Sequence, residues 1–250
     1  VNKTWTVDGD TFAVPAAARG KSLNHLTAAP AGWGSSPRVE EDDAEITAAL
    51  DALKEELSGV TTPGEAVQWA QANVFARTQE EVGKGGETPR PRWPRTYPKA
   101  LGMLMKTLWE RMNSPHLALA MFEHARSLGV DSYLDGCQTS AYNQLIKVQW
   151  EAFRDLNAVL AAVQEMRATA LQWDRYTAGY VGAVVERAGK ELLDARSRNA
   201  QHRWGSEAYH TLSALEDALR EDQRREHDKY ERRTDQKRRA RQSSVAFPSY

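Results

Sequence analysis

Two clusters of basic residues are the side chains best placed to do chemistry, and that chemistry is phosphate binding. Arg90, Arg92 and Arg95 surround Trp93 in a stretch with prolines at 89, 91 and 94. Prolines so close together forbid helix and favour extended polyproline geometry. A basic, aromatic strip of this kind suits either a phosphate backbone or a groove on a protein. The second cluster, Lys237, Arg238, Arg239 and Arg241, follows the last acid of the chain, Asp235. With no acidic neighbour beyond it, the cluster is an electrostatic footprint for RNA phosphate, the alternative being an ordinary solvated tail.

Catalytic and metal chemistry find no comparable footing. The sequence contains no GxGxxG, no GxxxxGK[ST] and no HExxH pattern. His116 and His124 stand eight residues apart, and packing explains them better than metal ligation. Cys137 sits in Asp135-Gly136-Cys137-Gln138, with no base nominated to activate it. The expectation is a protein that is not an enzyme, with no metal, no cofactor and no small-molecule substrate. One cysteine excludes an internal disulfide and a cysteine-based zinc site. A net charge of −1 gives no global field toward nucleic acid or membrane, so such binding must be local. No run approaches the ~18 apolar residues of a membrane span.

The elements that must position these residues are helical. Hydrophobic residues at 41% and charged residues at 27% give a globular balance. Residues 1–39 are punctuated by glycine and proline and read as an irregular N-terminal arm, with a small hairpin as an option around Asp8-Gly9. Ile46, Leu50, Leu53 and Leu57 recur at helical spacing from about Glu40, and Thr62-Pro63-Gly64-Glu65 opens a second helix with a capping box. Residues 40–83 are thus a helical hairpin, closed by Gly83, Gly85 and Gly86, and 84–98 are a Pro/Arg-rich linker. From 99 to 200 apolar stripes at helical spacing predict successive hairpins. Residues 201–242 form a long charged helix, and 243–250 are an apolar tail suited to docking on a partner.

Two segments carry an internal likeness. Residues 118–131 and 158–174 each read as an apolar helix, a basic residue, a short turn and an aspartate, and Tyr142 and Tyr176 lie 34 residues apart. Ala141-Tyr142-Asn143-Gln144-Leu145-Ile146 resembles the start of the first helix of a pentatricopeptide repeat, and Asp155 through Arg167 resembles its second helix. The resemblance covers roughly residues 96–190. Ala170 stands where the family has glycine, Trp173 where it has proline, and residues 132–139 insert a longer connection.

The resemblance implies an all-α fold: a short α-solenoid of helical hairpins, flanked by the irregular arm and the charged C-terminal helix. It also implies single-stranded RNA on the concave face, with Asn143 and Asp174 as base-reading residues. On a purely structural reading, those two residues cap or space helices. The function implied is a structural subunit of a mitochondrial RNA–protein assembly, above all the mitochondrial ribosome. Its partners would be neighbouring subunits and ribosomal or other structured RNA. The alternatives are a free organellar RNA factor in transcript processing or editing, and an accessory subunit of a protein-only complex. A start at Val1 fits a matrix protein whose transit peptide has been removed.

Overall fold

The computed structural model describes residues 6–7, 10–11, 37–79, 91–198, 204–205 and 207–245. The chain divides into two units, Val1–Asp43 and Ala44–Tyr250. In the first, β1 (Thr6–Val7) and β2 (Asp10–Thr11) pair antiparallel, so the hairpin around Asp8-Gly9 is formed. Residues 12–36 of the expected arm lie outside the described residues. Helix α1 runs from Pro37 to Gly59 and so starts ahead of Glu40. Proline's fixed φ and missing N–H suit a first helical position.

Helix α2 (Pro63–Asn73) begins as the sequence predicts. Thr62 Oγ1 accepts from the Glu65 amide at 3.3 Å, and Glu65 Oε2 accepts from the Thr61 and Thr62 amides at 3.0 and 3.2 Å. Those amide bonds, Thr61's first, hold the Glu65 carboxyl below its usual pKa. The helix stops at Asn73, well short of the glycines at 83–86. The Phe75 amide donates back to Ala70 O at 2.9 Å, and its ring turns inward against His124 and Tyr97, with centroids 4.7 and 6.3 Å away. Chain that the sequence assigns to helix and linker then forms a short ladder, β3 (Thr78–Gln79) against β4 (Pro91–Arg92). The linker ends sooner than expected as well, because Tyr97 and Pro98 are already the first turn of α3 (Tyr97–Lys106).

Tyr97 organises this junction. Its ring stacks on Trp93 at 4.5 Å. Its phenol lies 2.7 Å from Ser132 Oγ, which itself donates to Ala125 O at 2.8 Å, so the phenol is the donor. Burial pushes the phenol's pKa up to about 12. Ser132 lies on α5 (Val130–Gly136), so the connection expected over 132–139 is largely helical. A Cβ at Gly136 would fall 2.3 Å from the Tyr97 ring, and the bare backbone is what lets α5 reach the phenol.

A π-helical turn (Thr107–Arg111) extends α3 and carries Arg111 to the end of α1. Its guanidinium donates to Leu57 O at 2.6 Å, Val60 O at 2.7 Å and Ser58 O at 2.9 Å. A cation there adds donors to the last carbonyls of the helix and faces the negative end of the helix dipole.

The remaining helices are α4 (Pro115–Ser127), α6 (Thr139–Glu151), α7 (Leu156–Ala168), α8 (Arg175–Ser197) and α9 (Ala208–Val245). They pair as α3/α4, α6/α7 and α8/α9. Across pairs, α6 packs on α3, α4 and α8, and α7 packs on α9. Among the described residues the fold is all-helical apart from the two two-residue ladders. The shared core includes Leu104, Phe122, Tyr142, Ile146, Trp150, Met166 and Leu215.

Three of the helix ends turn through non-glycine residues at positive φ: Asn113 at 48°, Arg154 at 53° and Ala170 at 56°. The left-handed region costs an alanine about 1–2 kcal/mol, partly offset in glycine by the larger entropy of its unfolded chain. Ala170→Gly should therefore raise the free energy of unfolding by about 0.5–1 kcal/mol, read from urea denaturation. Gly136→Ala should lower it by about 1–3 kcal/mol through overpacking against Tyr97, and an unchanged denaturation midpoint would show that this contact is loose.

Candidate nucleic-acid interface

Residues at helical spacing place one polar stripe on each of three neighbouring helices: Lys99, Lys106 and Glu110 on α3 and its π turn, Gln144, Lys147 and Glu151 on α6, and Tyr176, Tyr180 and Arg187 on α8. Side chains join the stripes across helices. Lys147 Nζ bonds Glu110, which also lies 3.9 Å from Lys106. Glu151 Oε1 accepts from the Tyr180 phenol at 3.0 Å and from Arg187 at 3.1 Å. Burial, and then the Glu151 hydrogen bond, raise the Tyr180 pKa, so the phenol remains a donor. Tyr176 stacks on Tyr180 with centroids 5.9 Å apart and planes 8° from parallel, and it is 46% exposed. Cations and carboxylates alternate here, so the face offers an aromatic ring and paired charges rather than a basic field. In the sequence Tyr176 marks only the repeat length; the signal that places Tyr176 and Tyr180 on one face is their i, i+4 spacing behind the helix cap at Asp174.

The expected base-reading pair is brought together, but its polar atoms face each other. Asn143 is 7% exposed, and its Nδ2 donates to Asp174 Oδ2 at 3.1 Å. The buried Thr177 hydroxyl lies 2.7 Å from Asn143 Oδ1 and 2.9 Å from Asp174 Oδ1. Asp174 is the N-cap of α8, accepting from the Thr177 amide at 2.7 Å. This geometry matches the capping and spacing reading of the two residues.

The Arg/Trp/Pro strip is not laid out as the sequence implies. Trp93 is 6% exposed, closed off by its stack on Tyr97 and by the Arg77 guanidinium 5.1 Å from its ring centroid. It is a core residue and presents no face to a base, which corrects its assignment to an RNA-contacting strip. Arg95 is exposed, Arg92 belongs to β4 with its side chain outside the described residues, and Arg90 lies outside them altogether.

The C-terminal cluster is placed differently. The proximal part of α9 is packed, with Leu215 and Ala218 buried and Thr211 Oγ1 bonded to Asn157 Oδ1 at 2.8 Å. From Gln223 to Arg238 every residue but Lys229 is exposed, Tyr230 at 69%. Ion pairs one turn apart line this stretch: Arg225 with Glu221, Lys229 with Glu226 at 2.6 Å, and His227 with Glu231 at 3.3 Å. Lys237 and Arg238 are exposed near its end. The side chains of Arg239 and Arg241 lie outside the described residues, although their backbone is helical. At ~1.5 Å per residue, the helix rises roughly 27 Å from Gln223 to Arg241 at the end of the cluster.

Cys137 is 3% exposed, and burial pushes its thiol up to about 12. It therefore stays protonated at neutral pH and is a poor nucleophile. Among the described residues no group of three or more His, Cys, Asp or Glu side chains is arranged to hold a metal ion, and no helix is long and apolar enough to cross a membrane.

A family model described as the Mtf2 family matches residues 46–225. The match takes in α2 through α8 with the adjoining parts of α1 and α9, and it stops before the basic cluster. A protein of Schizosaccharomyces pombe called mitochondrial translation factor 2 is 30% identical over 109 residues, 42% of this chain and 35% of its own length. The chain thus spans about a third of that relative. No solved structure matches.

Asn143→Ala should remove two side-chain hydrogen bonds between α6 and α8 and leave the buried Thr177 hydroxyl with one acceptor fewer. Its expected cost is about 1–3 kcal/mol of unfolding free energy, measured by urea denaturation. A change within experimental error would show that the network does not hold the two helices.

Proposed function

The chain belongs to the Mtf2 family, and from that premise we propose that it acts in mitochondrial translation as a non-catalytic, RNA-contacting adaptor. The similarity to a protein named as a mitochondrial translation factor carries this reading, together with the family match over residues 46–225. It also favours residence in the mitochondrion, and translation there places the proposed role in the matrix. RNA is contacted through the far part of α9. Lys237 and Arg238 are exposed there, and Arg239 and Arg241 complete a cluster with no acid after Asp235. A basic cluster of that kind releases counterions from phosphate without reading sequence. The hairpins α3/α4, α6/α7 and α8/α9 supply the body of a short pentatricopeptide-like array, which docks protein neighbours and RNA.

The finer reading is a resident subunit of the mitochondrial ribosome. A second reading, a free factor acting on particular transcripts, is favoured by the relative's name, which is that of a factor and not of a ribosomal protein. Sedimentation of mitochondrial lysates, with and without ribonuclease, separates them. Stoichiometric co-migration with a ribosomal subunit in high salt supports the resident subunit. Ribonuclease-sensitive association with a narrow set of transcripts supports the factor. Absence from every RNA-containing fraction would sink both.

Reversing the charge of Lys237, Arg238, Arg239 and Arg241 to glutamate should weaken RNA binding and flatten its salt dependence. The expected loss of slope in log K against log salt is about 0.7 for each phosphate contact to single-stranded RNA. Circular dichroism should show the helical content retained, and an unaltered salt slope would move the RNA contact away from this cluster.

A further inference from the structure

The α7–α8 turn and α9 line a cleft of about 340 Å³ that stands apart from the polar stripes on α3, α6 and α8 described above. One wall is the turn, with Leu171 and a half-buried Trp173. The other is the line Ala218, Glu221, Asp222, Arg225 and Lys229 on α9. The volume is at the small end of those that enclose small organic ligands.

The charges in the cleft are unevenly satisfied. Arg167 and Arg225 both bond Glu221, so two guanidinium groups share one carboxylate. Lys229 is matched by Glu226 at 2.6 Å. Asp222 is half-buried and, among the described residues, makes no hydrogen bond or ion pair. Burial, and then the nearby charge of Glu226, raise its pKa against the opposing pull of Lys229 and Arg225. The cleft therefore combines an aromatic wall, a carboxylate without a hydrogen bond among the described residues and two guanidinium groups that share one carboxylate.

We propose that this cleft binds one unpaired guanine nucleotide of an RNA chain, its ring against Trp173, its base edge on Asp222 and its phosphodiester on Arg167 and Arg225. The proposal rests on the reading that this protein contacts RNA and names the unit that one site takes. Unpaired bases are recognised by stacking on aromatic rings and by hydrogen bonds to their Watson–Crick edge. Guanine presents two adjacent N–H donors on that edge, the arrangement that both oxygens of one carboxylate can accept. Uracil presents a single donor between carbonyls that the carboxylate repels. An arginine-bearing peptide would also suit Asp222 and Trp173, but it would meet Arg167, Arg225 and Lys229 at like charge.

The test is isothermal titration of the whole chain with each of the four nucleoside monophosphates. GMP is expected to bind with the highest affinity. Asp222→Asn should reduce it to the level of the others, because an amide cannot accept both guanine donors. This substitution removes a charge that burial already disfavours, so the fold is expected to persist. Trp173→Ala should weaken GMP by about tenfold, the range for loss of one stacked base, while Trp173→Phe retains most of the affinity. Equal affinity for all four nucleotides, indifferent to Asp222→Asn, would overturn the assignment. So would saturable binding of an arginine-rich peptide that GMP cannot displace. An electrophoretic shift with mitochondrial RNA, run in parallel, keeps the two readings apart. RNA bound without any mononucleotide response removes this site alone, whereas no RNA binding at all removes the function it rests on.

Discussion

A single buried amide ties the centre of the molecule together. Asn143 on α6 reaches Asp174 and Thr177 at the start of α8, so the cap that begins α8 and the bond that fixes its distance from α6 are one network. A buried polar group left unpaired costs more than a paired one gains, and the network therefore admits few alternative placements of α8. Helix α9 packs on α7 and α8, so the wall it gives the cleft and the direction of its exposed half both follow from where α8 stands. The same bonds bear on RNA recognition. A residue whose amide already spends its acceptor and a donor on its own fold has little left with which to distinguish bases. The half-exposed Tyr176 ring and the cleft beside Trp173 retain unspent surface.

A second constraint operates at the front of the helical array, where apolar rings close around Tyr97. Phe75, Trp93 and the bare backbone of Gly136 converge on one ring, and its phenol is satisfied through Ser132. Three segments far apart in sequence are held by one side chain. Arg111 adds a polar tie on the same side by closing the end of α1. The hairpin α1/α2 is thus tied to the array by a cation and an aromatic cluster, beside apolar contacts from Leu53, Leu57, Ala66, Val67, Ala70 and Val74.

These constraints show which parts of the fold could be read in advance. Local chemistry was legible. Thr62 and Glu65 form the expected capping box, and the 3.6-residue stripes mark the helices, because capping and periodicity are properties of a few neighbouring residues. What depends on distant partners was not. The segment 132–139 reads as an inserted connection, yet as far as Gly136 it is helical, where Ser132 meets Tyr97 and Gly136 meets its ring. Trp93 reads as exposed because arginines flank it, yet it lies in the core because the ring that covers it opens the next helix. Phe75 likewise ends α2 early by turning to contacts that no local pattern announces. Asn143 and Asp174 bond each other, and sequence spacing alone cannot tell such a couple from a base-reading one.

The exposed half of α9 poses the converse problem, a helix with almost nothing to pack against. Polar on every side beyond Asp222, it gains little from burial, and its support comes from ion pairs one turn apart and from continuity with the packed half. Each exposed pair contributes only a few tenths of a kcal/mol, so the packed half must nucleate the helix and the pairs carry it outward. The shaft is also close to neutral, with Glu221, Asp222, Glu226, Asp228, Glu231 and Asp235 against Arg224, Arg225, Lys229, Arg232 and Arg233. The unmatched charge is collected after Asp235. A neutral shaft with a basic end separates holding the helix from binding a polyanion: charge changes beyond Asp235 alter the field met by phosphate while leaving the ion pairs of the shaft in place.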